Sequence, residues 1–312
     1  MEHFVTLFNL SWAPQGLALH ASLQRQMRVP FTLWIVCVDR RTFEVLGQLG
    51  IPHIRLLLLD DLETDELRAV RPGRSTAEYC WTITSFTPSW VFDADPSVER
   101  VTYVDADAWF RDDPLRALAE FDASGKALQI TRHAYAPEYD KSALTGIFCV
   151  QFMTFVRQRA DEVLRHWQDQ CVDWCFDRFE DGRFGDQKYL DAWPVQYPQA
   201  VHVLTDEQLM QGPWNAFRFP YSSGVMYHFH GLKVLGSHRV HLGPYPLPRP
   251  TLEHVYGPYL EDLRSILARL EAVGIPPPQQ APTPNIYRLA RMRAAFIVRH
   301  FGAPFGPMTK RF

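Results

Sequence analysis

The stretch Val101-Thr102-Tyr103-Val104-Asp105-Ala106-Asp107-Ala108-Trp109-Phe110 decides the reading of this chain. An apolar, β-branched run ends in two aspartates one residue apart, with two aromatic residues just beyond. If Val101 to Val104 is a buried strand, both carboxylates sit at its C-terminal end, where open α/β sheets collect their ligands. Side chains at i and i+2 of an extended chain point the same way, so Asp105 and Asp107 are expected to face one point. Two adjacent carboxylates repel and raise each other's pKa unless a cation lies between them. Hard oxygen ligands suit Mg²⁺ or Mn²⁺, ions that also bind phosphates. The pair therefore reads as a metal–diphosphate site. The competing reading is that aspartates simply favour turns.

The residues on either side give the pair its frame. Upstream, strands are predicted at Phe4 to Phe8, Phe31 to Val38 and His53 to Leu59. They alternate with helices over Ala13 to Met27, Thr42 to Leu49, Asp61 to Val70, and Thr76 to Phe92 up to Pro88. Downstream, Asp113 reads as an N-cap with Pro114 at the first helical position. Strands are expected at 127–131, 147–155, 201–204 and 225–229, with helices at 160–179 and 185–193. Strands alternating with helices of this length mean a mainly parallel central sheet flanked by helices. Beyond residue 245, Pro246, Pro248 and Pro250 space out a stiff connector before a helix over Leu252 to Leu270. Pro276, Pro277, Pro278, Pro282 and Pro284 form a second linker, so 1–245 reads as the catalytic domain and 246–312 as a helical extension.

Composition narrows the class. A chain of 312 residues with 46% hydrophobic and 13% aromatic content is globular. A formal net charge of −3 gives no reason to expect a nucleic-acid partner. The cysteines Cys37, Cys80, Cys149, Cys171 and Cys175 are odd in number and scattered, which fits a reducing cytoplasm better than a disulfide framework. No signal peptide is visible at the N-terminus, and no stretch of eighteen apolar residues is present. The last segment carries Arg288, Arg291, Arg293, Arg299, Lys310 and Arg311 between aromatic residues. Such a tail either lies on the inner face of an anionic cytoplasmic membrane or packs on the catalytic domain.

Two further constellations carry chemistry. In Phe184-Gly185-Asp186-Gln187, the glycine permits a tight turn and Asp186 falls near a helix N-terminus. An ordinary N-cap would explain Asp186 but not Gln187. In His228-Phe229-His230-Gly231-Leu232-Lys233, alternating histidines end a strand. Either imidazole could complete a Mn²⁺ shell begun by carboxylates. Gly231 lets backbone approach a ligand closely, and Lys233 can neutralise phosphate charge.

These pieces, in this order, resemble the GT-A fold glycosyltransferases. Among them they resemble the retaining family that includes glycogenin and the lipopolysaccharide α-galactosyltransferases. The resemblance spans roughly residues 1–240. It implies that Leu7, Asn9 and Trp12 contact the nucleotide base, and that Asp105, Ala106 and Asp107 lie against the diphosphate. It further implies that Asp105, Asp107 and His228 hold Mn²⁺ or Mg²⁺, and that Gly231 and Lys233 brace the leaving phosphate. Asp186 and Gln187 would be catalytic beside the donor sugar. The implied activity is transfer of a hexose from a nucleoside diphosphate sugar, with UDP expected, to a saccharide or lipid-linked acceptor in surface polysaccharide or lipopolysaccharide synthesis.

The chain also departs from the family pattern. One residue fewer separates Gly231 from Lys233, and the spacing favours His228 over His230 as ligand. Cys149-Val150-Gln151 stands where Asn-Ala-Gly is frequent. A basic residue frequent before the metal strand is replaced near Ser85, with Arg74 as its substitute. Two other classes compete. A haloacid-dehalogenase-type phosphatase also uses Asp-x-Asp, but near the N-terminus and without Trp109 at that place. An inactive carbohydrate-binding protein would keep the fold and lose the chemistry.

Overall fold

A computed structural model of the chain describes residues 1–280 and 309–311. The strands are β1 (Glu2–Phe8), β2 (Phe31–Cys37), β3 (Ile54–Leu58), β4 (Arg100–Val104), β5 (Ala108–Phe110), β6 (Leu128–Arg132) and β7 (Phe148–Val156). They continue with β8 (Val201–Val203), β9 (Met210–Gln211), β10 (Met226–His228), β11 (Lys233–Val234), β12 (Arg239–His241) and β13 (Thr309–Arg311). Seven of them form the central sheet, in the order β3-β2-β1-β4-β7-β6-β8. β7 alone runs against its neighbours, pairing antiparallel with both β4 and β6. The other pairs are parallel.

Alternation along the strands divides the core in two. Phe4 and Phe8 of β1, with Leu33 and Ile35 of β2, face one layer. Val5 and Leu7, with Trp34 and Val36, face the other. Apolar residues on both faces are what a sheet covered by helices requires. The first layer is filled by Leu17, Leu19 and Leu23 of helix Ala13–Gln26. Tyr259, Leu263, Ile266 and Leu270 of helix Gly257–Ala272 complete it, so this late helix shares the core of β1. The second layer takes Ile83, Val91, Val163 and Trp167.

Several helices differ from the sequence expectation. The run expected from Asp61 to Val70 breaks into Leu59–Leu62 and Asp65–Val70, because Thr64 caps the second piece by accepting from the Leu67 amide. The run around Pro88 divides into Thr76–Thr84 and Thr87–Ala94, with the proline tolerated in the first turn of the second. The helix expected to reach Phe179 ends at Asp173. Trp174, the residue after it, is extended, and Trp174 and Cys175 are both buried. The helix expected over 185–193 starts only at Lys188, as a tight 3-10 turn, and is followed by Trp193–Gln196. Asp113 does cap its helix, accepting from the Leu115 amide at 3.0 Å.

All five cysteines are free of disulfides. Among the described residues, no helix is long and apolar enough to cross a membrane. Arg288, Arg291, Arg293 and Arg299 of the basic tail lie outside the described residues. Lys310 belongs to β13, which pairs with β12.

Candidate active site

β4 ends at Val104, and the two aspartates do not continue it as an extended strand. Asp105, Ala106 and Asp107 form a tight turn instead, closed by the Ala108 amide donating to the Asp105 carbonyl at 3.0 Å. The convergence of the two carboxylates therefore comes from the turn, not from i,i+2 alternation. Ala106 packs against the first apolar layer. The chain leaves the turn as β5, which pairs antiparallel with β10 so that His228 stands opposite Ala108. The Phe229 amide donates to the Asp107 carbonyl at 2.8 Å and locks the β10 end to the turn.

The result is a three-residue group. One ligand atom from each of Asp105, Asp107 and His228 lies within 4.8 Å of the others. His228 Nε2 is 3.1 Å from Asp107 Oδ1, and Nδ1 is 3.6 Å from Asp105 Oδ2. The Tyr103 hydroxyl donates to Asp105 Oδ1 at 2.8 Å. His230 lies beyond the strand end and is exposed, its ring centroid 5.6 Å from that of His228. His228, not His230, falls in the group of potential ligands.

The electrostatics follow from burying charge. Burial pushes the Asp105 carboxyl up, more than His228 beside it can pull down. For Asp107 burial is again the largest effect and acts in the same direction, but His228 together with His230 and Lys233 outweighs it, and its pKa falls to about 2. Burial disfavours the His228 imidazolium, yet Asp107 holds its pKa well above the usual histidine value. Asp186 adds a third carboxyl: it is 3% exposed, and burial followed by the charge of Asp105 raises its pKa well above the usual range. Its Oδ2 has no hydrogen-bond partner among the described residues. Two half-buried carboxyls around one imidazole, with the buried Asp186 carboxyl acting on Asp105, suit a further cation. Two carboxylate oxygens and one imidazole nitrogen suit Mn²⁺, with Mg²⁺ favouring an all-oxygen shell. The donor set fits a divalent ion.

One residue of this group had no role assigned by sequence. Gln151 of β7 is fully buried, and its Oε1 lies 3.2 Å from His228 Nδ1. An acceptor there fixes the tautomer with a proton on Nδ1 and turns Nε2 toward Asp107, the usual arrangement behind a metal-ligating histidine. Gln151 Nε2 is left without a partner among the described residues. The signal available beforehand was only its departure from the family pattern.

A second cluster borders the first. Asn9 accepts from the Ser11 amide at 3.2 Å and the Ser11 hydroxyl at 2.6 Å, shaping the turn Leu10–Trp12. Lys233 Nζ stands 4.2 Å from the centroid of the Trp12 ring. Burial lowers the Lys233 pKa against the opposing pull of Asp107. Gly231 has φ +80, and a Cβ there would meet Pro244 Cδ at 3.0 Å. Both facts require glycine. Leu7 is nearly buried in the second apolar layer.

Two expected residues make contacts elsewhere. Arg74 donates to Thr82 Oγ1 and, at 2.6 Å, to the Val172 carbonyl, and its guanidinium lies over Phe176. Those bonds tie two helices together. Gln187 follows Asp186 directly, and its Nε2 donates to the Thr145 carbonyl at 2.6 Å. Asp186 is held by its neighbourhood: its carbonyl accepts from the Trp167 indole at 2.8 Å, and Trp81 packs on Gly185, which has φ +51.

No protein-family model matches the chain. YfnF of Bacillus subtilis (strain 168), described as an uncharacterized protein, is 27% identical over 278 residues, covering 83% of this chain and 90% of that one. Among solved structures, mouse xyloside xylosyltransferase 1 in its apo form matches 73% of this chain and 97% of its own, with TM-score 0.50 and 17% identity. The galactosyltransferase LgtC, solved with donor and acceptor sugar analogs, matches 84% of this chain and 95% of its own, with TM-score 0.53 and 12% identity. The fold is thus the GT-A glycosyltransferase fold: a mainly parallel sheet flanked by helices.

Proposed function

We propose that this chain is a metal-dependent glycosyltransferase. It would move a hexosyl group from a nucleoside diphosphate sugar, with UDP as the nucleotide, to a hydroxyl of a saccharide or lipid-linked acceptor. The single observation that carries this is the convergence of Asp105, Asp107 and His228 at the C-terminal end of a central strand. That end is where ligands gather in open α/β sheets. The fold shared with a xylosyltransferase and a galactosyltransferase supports a glycosyl donor in general. It disfavours the dehalogenase-type phosphatase.

In this reading Asp105, Asp107 and His228 hold Mn²⁺ or Mg²⁺. A bound divalent ion supplies charge neutralisation for the departing diphosphate, often the largest catalytic term in such transfers. Lys233 adds a second positive charge on the Trp12 side. Trp12, Asn9 and Leu7 flank the base. Asp186 would offer its unpartnered Oδ2 to a donor-sugar hydroxyl, and Gln187, anchored through its Nε2 to the Thr145 carbonyl, would act beside the donor sugar. Transfer with retention needs no separate base, because the leaving phosphate can take the acceptor proton.

The test is hydrolysis of a panel of nucleotide sugars without acceptor, with Mn²⁺ present and then with excess chelator. Metal-dependent release of nucleoside diphosphate is expected from one or more donors. Full activity in chelator would remove the metal assignment. Binding without any turnover would favour the inactive carbohydrate-binding alternative.

A further inference from the structure

Gln280 joins three parts of the chain that border the Trp12–Lys233 pair. Its Nε2 donates to the Ser11 carbonyl at 2.6 Å. Its Oε1 accepts from Gln15 Nε2 at 3.1 Å and from the Val234 amide at 2.9 Å. Its own amide donates to the Val234 carbonyl at 3.0 Å. Ser11 precedes Trp12 and Val234 follows Lys233, so this one side chain grips the neighbours of both members of the pair.

The surrounding backbone reinforces the grip. Gly236 donates to the Pro278 carbonyl at 3.0 Å, and Leu235 forms an antiparallel bridge with Gln279. On the far side of the β11–β12 hairpin, β13 pairs with β12. The β11–β12 hairpin that carries Lys233 is thus held between two stretches of the C-terminal segment.

We propose that Gln280 is a positioning residue for nucleoside diphosphate recognition. It presets the turn Leu10–Trp12 against Lys233, so that a nucleotide meets an ordered pair and does not have to order it. The proposal rests on the reading of this site as one for nucleotide sugars. The turn is solvent-accessible, with Ser11 exposed, so its carbonyl can hydrogen-bond water when Gln280 is lost. The penalty then falls on ligand binding, as lost preorganisation, more than on folding.

The test uses the full chain and isothermal titration of UDP, GDP and ADP with Mn²⁺ present, alongside Mn²⁺ alone. Gln280→Ala removes every side-chain contact. Gln280→Glu keeps acceptors for Gln15 and Val234 and removes only the donor to Ser11. Loss of the bond to Ser11, common to both variants, is expected to weaken the nucleotide that the wild type binds by about five- to tenfold. Affinity for Mn²⁺ alone should be unchanged, a split that general loosening would not give. Wild-type nucleotide affinity in both variants, or parallel loss of Mn²⁺ affinity, would overturn the proposal while leaving the site reading intact. A wild type that binds none of the three nucleotides would overturn the site reading, and the proposal with it.

Discussion

Lys233 Nζ sits 4.2 Å from the centroid of the Trp12 ring, which sets a cation from β11 over the turn that follows β1. The ammonium is also drawn by Asp107, and burial works against its charge. A partly desolvated cation beside a carboxylate cluster gains most when phosphate arrives. Lys233→Met keeps the apolar contact with Trp12 and removes the charge. UDP affinity in the presence of Mn²⁺ is expected to fall about 10- to 100-fold, as for loss of a charged hydrogen bond. Titrations at low and high salt check this: the wild-type affinity should weaken with salt more steeply than that of the variant.

Asp105 carries the carboxyl that burial and Asp107 both push up. In Asp105→Asn the Tyr103 hydroxyl still finds an acceptor, while one like-charge repulsion disappears. Without metal, the variant should melt at or above the wild-type temperature. With Mn²⁺ at about 100 times its Kd, the wild type gains about 2.7 kcal/mol and the variant nothing. Thermal melts with and without Mn²⁺ measure both effects; a variant stabilised by Mn²⁺ as much as the wild type would exclude Asp105 from the ion's shell.

Gln151 acts through His228. Gln151→Leu removes the acceptor that fixes the imidazole tautomer, and Mn²⁺ affinity should drop about 10- to 100-fold, as for other partners of metal-bound histidines. Gln151→Glu retains an acceptor and should restore most of the affinity. Titration of Mn²⁺ into each variant decides the point; equal affinity in wild type and Gln151→Leu would reduce Gln151 to core packing.

The fold was legible because its signals are local. Alternating apolar runs and helical periodicity mark the strands and most helices within stretches of about ten residues. The Asp-x-Asp pair announced itself by following such a run, and His228 by its position near a strand end. The turn geometry at 105–107 was not legible, since the same residues suit an extended chain. Gln151 reaches His228 only because β7 pairs antiparallel with β4, bringing Val104 opposite Phe152. That register is a long-range property. Gln280 is further still, meeting Gln15 across 265 positions. Arg74 likewise has a long-range partner: the end of helix Asp161–Asp173 supplies a carbonyl that accepts from its guanidinium.

The order of synthesis gives the Gln280 clasp one more consequence. Chains emerge from the ribosome with the N-terminal part first and fold as they appear. The apolar layers are complete once Ile275 is out, because nothing beyond it contributes to them among the described residues. Gln280 and β13 follow later. A nascent chain can thus possess its finished hydrophobic interior while its first loop and the Lys233 strand still lack their common fastener.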